Sequence, residues 1–150
     1  MRRSHRSALF VVAVLCAACG GGHPYGPAAR YSAIAKIGNA GLEVAFTALD
    51  GPDKNNLAAA RSDLDRAAAT ERTFDRGLLA IPLPPAIEAT ARAVVGVNEA
   101  RANLATMAAA SETLEQLRGY DPRLSAANDA VVRQVRILRS QLGLPPPETS

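Results

Sequence analysis

The chain has 150 residues, 17 Lys and Arg against 14 Asp and Glu, and a formal charge of +3. A charge this small argues against a basic nucleic-acid surface. Both cysteines and both histidines lie before Pro24, and there is no Trp. The remainder therefore lacks the Cys and His ligands of zinc sites, the Glu-x-x-His motif of di-iron bundles and the His of Ser-His-Asp or Cys-His catalysis. Met107 is the one residue there able to serve as an axial haem ligand of the usual His or Met kind. No cofactor is expected.

The chain opens with Arg2, Arg3 and Arg6, followed by an apolar segment from Ser7 to Ala18. A membrane-spanning helix needs about 20 apolar residues, so this run is too short. A cationic start, a short apolar run and small residues at its end read as a secretory signal. Cys16-Ala17-Ala18-Cys19 resembles the cleavage motif of bacterial lipoproteins, with Cys16 where Leu is usual. The resemblance implies cleavage between Ala18 and Cys19, acylation of Cys19 and attachment to a membrane of the bacterial cell envelope. The alternative is an ordinary secretory signal that leaves Cys19 unmodified. Either cleavage removes Arg2, Arg3 and Arg6 and leaves 14 basic against 14 acidic residues (17 − 3). Residues 1–18 are thus expected to be a signal peptide. Residues 19–30, rich in Gly and Pro, are expected to be an anchored flexible tether.

About 120 residues follow, one ordinary domain. Their apolar spacing is helical almost throughout and predicts four helices. The first spans Tyr31 to Leu49, with Ile34, Ile37, Gly41, Val44 and Ala48 on one face. Gly38 and Gly41 suit a close approach by a neighbouring helix. Asp50-Gly51-Pro52-Asp53 makes a turn. The second helix spans Lys54 to Leu79 with Asp53 as N-cap, on a heptad stripe of Leu57, Ala60, Leu64, Ala67, Glu71, Phe74 and Leu78.

Ile81 to Pro85 separates the second helix from a third, Ala86 to Arg118. Val97, Ala100, Leu104, Met107, Ser111 and Leu114 form its main stripe; Ile87, Ala91 and Val94 form another, offset from it. The slip predicts a bend near Gly96 or fraying near Ala110. Gly119 ends this helix, and the fourth begins with Asp121 as N-cap and Pro122 in the first turn. Its stripe is Leu124, Asn128, Val131, Val135, Leu138 and Leu142, stopped by Gly143 and Pro145 to Pro147. Three short connections predict an antiparallel up-down-up-down four-helix bundle over residues 31–143. A disordered tail is expected over 144–150.

Two residue groups are candidates for function. Glu71, Asn98, Arg101 and Asn128 fall at or near core positions, where a charge is costly unless paired. They predict a register-fixing polar layer with Glu71 paired to Arg101, or else a polar pocket for a small ligand. Arg133, Arg136 and Arg139 lie roughly on one flank of the last helix, as a solvated face or a contact for an anionic surface. The charges in Ala69 to Gly77 read as ordinary surface pairing.

The leading expectation is a membrane-tethered envelope lipoprotein acting as a non-catalytic helical interaction module. Its partner would be an unidentified envelope protein. The alternative is a carrier or sensor for a small or apolar ligand inside the bundle. An enzyme working through carboxylates alone is the remaining class.

Overall fold

The computed structural model describes residues 26–147. The expected signal peptide, with Ala18 and Cys19, lies outside the described residues, as do residues 148–150. Among the described residues the chain is all-helical: α1 (Pro27–Asp50), α2 (Leu57–Leu79), α3 (Pro85–Ala109), α4 (Leu114–Arg118) and α5 (Asp121–Gln141). The four long helices pack against each other. α2 lies against both α1 and α3, α3 lies against α5, and the short α4 abuts α3.

Local chemistry explains each helix boundary. α1 starts earlier than the apolar spacing predicts, because Gly26 is extended and Pro27 occupies the first turn with its φ already set. Residues 27–30, expected in the tether, are therefore helical. α2 begins at Leu57, later than expected, and its N-cap is Asn56, not Asp53: the Asn56 carboxamide oxygen accepts from the Ala59 amide at 3.2 Å.

The expected third helix is two. It continues unbroken past the solvent-facing Gly96 and stops at Ala109, where Arg61 on α2 donates to the last carbonyl. Thr113 then caps α4 by accepting from the Gln116 amide, and the Gln116 side chain accepts from the Glu112 amide. The two bonds satisfy donors that a new helix start would otherwise leave orphaned. In α5 the N-cap position falls on Tyr120, with Asp121 already in the first turn.

α5 ends in a Schellman motif. Gly143 is left-handed (φ 70°), the Gly143 amide donates to the Ser140 carbonyl, and the Leu144 amide donates to that of Arg139. Leu144 then packs against the core, and Arg139 Nε donates to the Pro145 carbonyl at 2.6 Å. Residues 144–147, expected to be disordered, are thereby fastened to the domain.

The core has two apolar centres. One joins Tyr31 and Ala35 of α1, Leu78 and Ile81 at the end of α2, Ala91 and Val94 early in α3, and Leu138 of α5. The other joins Ala60, Leu64 and Ala68 of α2 to Ala102, Ala105 and Ala108 of α3 and to Leu117 of α4. Leu49 and Leu124 pack against it. The second centre is mostly alanine, so its helices must approach closely for dispersion contacts to form.

The expected α2 stripe is the observed core face: Ala60, Leu64, Ala67, Glu71 and Leu78 are all buried. The α1 stripe is not. Its buried residues are Tyr31, Ala35, Gly38 and Ala45, while Ile37 and Val44 are 73% and 61% exposed. Tyr31 meets Phe74 edge to face, with ring centroids 6.2 Å apart. That contact and the small residues turn α1 so that its glycines, rather than its larger aliphatics, face α2.

Gly41 and Gly96 test this packing in opposite directions. A Cβ on Gly41 would lie 2.9 Å from Thr70 Cγ2, whereas a Cβ on Gly96 meets nothing within 4 Å. Gly96→Ala is expected to raise unfolding stability by about 0.5–1 kcal/mol through helix propensity. Gly41→Val is expected to lower it by about 1–3 kcal/mol through overpacking. Urea denaturation of both variants measures the contrast.

Candidate functional site

α2 and α3 face each other across a polar layer between the two apolar centres. α2 contributes Glu71 and, one turn later, Asp75; α3 contributes Asn98 and Arg101. All four are buried, Glu71 at 2% exposure. Arg101 Nε lies 2.8 Å from Glu71 Oε1. The Nε–H is not aimed along that line, so the contact is an ion pair rather than a well-formed hydrogen bond. The two terminal nitrogens of Arg101 are well directed: one donates to Asn98 Oδ1 at 3.1 Å, the other to Asn128 Oδ1 at 2.6 Å. Asn98 passes the chain on, its Nδ2 donating to Asp75 Oδ1 at 2.9 Å.

All four sequence-predicted residues of this group thus meet in one network. Asn128, expected in the core, is instead exposed on α5 and closes the network at its rim. Asp75 belongs to the network and was not among the residues the spacing singled out. The signal for it is an acidic pair at i, i+4 with Glu71, a spacing that is unfavourable on an exposed helix. The expected surface pairing across Ala69 to Gly77 is corrected by the same observation, since Glu71 and Asp75 point inward. Arg72 does reach the surface, but its partners Glu99, Asn103 and Thr106 are on α3. This outer clamp ties the same two helices.

Two carboxylates against one guanidinium leave the layer overloaded with acid. Glu71 Oε2 and Asp75 Oδ2 have no hydrogen-bond partner. Burial pushes the Glu71 carboxyl up to about 7, against the opposing pull of Arg101, and Asp75 adds to the rise. Burial also raises Asp75 to about 6, while the hydrogen bond from Asn98 lowers it. As pH falls through about 7 toward about 6 the layer therefore takes up protons, Glu71 before Asp75.

The arginine flank is unevenly exposed, with Arg139 half-buried. Arg133 and Arg136 are exposed. Arg139 donates through Nε to the Pro145 carbonyl, and its charge opposes the rise that burial gives the Tyr31 hydroxyl.

Among the described residues the surface carries open concavities. One of about 520 Å³ lies among Met107, Ser111, Gln116, Tyr120 and Arg123; one of about 340 Å³ lies along Leu78 to Leu83. Neither is lined by a residue of the polar layer. Among the described residues no three His, Cys, Asp or Glu side chains gather as metal ligands. No helix there is long and apolar enough to cross a membrane.

The chain matches no protein-family model, and neither the curated proteins nor the solved structures contain a significant match.

The acid overload has a signed consequence. Each raised carboxyl holds its proton more tightly in the folded chain than in the unfolded one. Between about pH 4.5 and pH 7 the folded state thus binds more protons, and stability falls as pH rises. Denaturation at pH 5 and pH 8 is expected to show the wild type less stable at pH 8 by about 1–3 kcal/mol, with Glu71→Gln flattening the difference. Arg101→Leu is expected to cost about 3–5 kcal/mol at pH 8, where Glu71 is left as an uncompensated buried charge, and less at pH 5.

Proposed function

We propose that this chain is an envelope lipoprotein, held to a bacterial membrane through an acylated Cys19, whose helical domain works by contact rather than by catalysis. The observation that carries the contact reading is α1. Its inner face is packed against α2, yet Ile37 and Val44 project from its outer face at 73% and 61% exposure. Ala33 and Ala40, also exposed, continue the stripe at helical spacing. Contiguous exposed apolar surface of this kind marks an interaction site more often than chance.

In this reading the long helices run alternately up and down. The start of α1, the end of α2, the start of α3 and the end of α5 share one apolar centre, which supports that arrangement. The buried acids support a structural role. They lie inside the layer that joins α2 to α3, and neither lines one of the open concavities. The carrier reading has less support, because it calls for an enclosed apolar cavity and both concavities are open.

The anchor is tested by mass spectrometry of the mature protein from a lipoprotein-competent bacterium. The expected mass is that of residues 19–150 plus acyl chains, and Cys19→Ser is expected to release the protein into the soluble fraction. A mass without lipid would leave a free secreted domain and refute the anchor.

A further inference from the structure

The outer stripe of α1 has a pattern that suits a copy of itself. Ala33, Ile37, Ala40 and Val44 follow one another by four, three and four residues, a heptad spacing in which small and large side chains alternate. Two exposed charges, Lys36 and Glu43, lie together on one flank of that stripe, each about 80° around the helix from its centre. They are seven residues apart, about 10 Å along the axis, too far to pair with each other. Among the described residues neither has an ion pair or hydrogen-bond partner through its side chain.

We infer that α1 is a homodimerisation helix, its outer stripe packing antiparallel against the same stripe of a second copy about a two-fold axis near Ala40. The symmetry makes the charges complementary. In an antiparallel pair, a flank meets the same flank of the other helix with the sequence running backwards. An axis midway between Lys36 and Glu43 sets Lys36 beside the partner subunit's Glu43, and Glu43 beside the partner subunit's Lys36. The same axis seats Ile37 between the partner subunit's Ala40 and the partner subunit's Val44. Ala33 and Ala40 leave room for the helices to approach, and burial of Ile37 and Val44 supplies apolar area that the monomer leaves in water. The interface is isologous and closes on itself, as a two-fold dimer requires. A parallel pairing would put the two copies of this flank on opposite sides of the seam, where Lys36 and Glu43 could not meet, so the charges favour the antiparallel direction.

This inference rests on the contact reading of α1 and not on the anchor, and its test separates the two. The mature chain, residues 19–150, is purified with Cys19→Ser and followed by analytical ultracentrifugation, with circular dichroism as the check on folding. The wild-type surface is expected to give a concentration-dependent dimer. Lys36→Glu is expected to weaken it about tenfold by placing like charges together. The exchange Lys36→Glu with Glu43→Lys is expected to restore it, which a merely structural role for either residue would not produce. Ala40→Cys, near the axis, is expected to give a disulfide-linked dimer under mild oxidation.

A monomer up to about 100 μM, or a dimer indifferent to Lys36→Glu, overturns the inference. A monomeric chain that floats with anionic liposomes and loses that binding on Ile37→Asp overturns it too, and gives the stripe to a lipid surface instead. Loss of the acyl mass on Cys19 would refute the anchor and leave the dimer standing.

Discussion

The Glu71–Arg101 ion pair is the constraint around which the domain is arranged. It sits where α2 and α3 cross between the two apolar centres, and three further side chains exist in their positions because of it. Asn98 and Asn128 each give an oxygen to the guanidinium. Asp75 accepts from the Asn98 carboxamide nitrogen, which also donates to the Glu71 backbone carbonyl. A buried pair of this kind contributes little net stability, because desolvation offsets most of the Coulomb attraction. Its effect is on specificity. A one-turn shift of α2 that sets Ala67 in place of Glu71 opposite Arg101 would leave the charges unpaired in an apolar interior, and the cost of that disfavours registers that an alanine-rich interface would otherwise tolerate.

That interface needs such a device. Around the second apolar centre α3 presents Ala102, Ala105 and Ala108. Alanines bring helices close, but they interlock weakly and many relative positions bury similar area. The polar layer and the outer clamp of Arg72 on Glu99 and Asn103 fix one of them. The same requirement explains why α1 uses glycine against α2. With Thr70 opposite Gly41 and Ile34 opposite Gly77, the contact is too close for a side chain on both helices. The larger aliphatics of α1 are then left to face outward, and this exclusion from the core is what leaves Ile37 and Val44 exposed.

The polar layer was legible in the sequence because polar residues at core heptad positions stand out. Glu71 interrupts an otherwise apolar stripe, and Asn98 and Arg101 fall within a step of the α3 pattern. Asp75 was not legible as a member, since its position beside Phe74 reads equally well as surface. The α3 core was misplaced for a related reason. Its true face continues from Ile87, Ala91 and Val94 through Asn98 and Arg101 to Ala105 and Ala108. Size pointed instead to Val97, Leu104 and Met107, and Met107 is 48% exposed. The end of α3 is marked in the sequence, because Thr113-Leu114-Glu115-Gln116 has the spacing of a capping box and a helix begins there.

By itself the sequence determined the helical class, the α2 face, the stops at Gly143 and the proline run, and the exclusion of His- and Cys-dependent chemistry from the domain. Each follows from local propensity, from period or from the absence of a residue type, and none depends on a neighbour. The tertiary structure alone decided which face of α1 turns inward, which residues of α3 form the core, and how Arg139 and Leu144 fasten the chain end. Those choices depend on how closely two helices can approach, and that distance is set by pairs such as Gly41 and Thr70 that lie far apart in sequence.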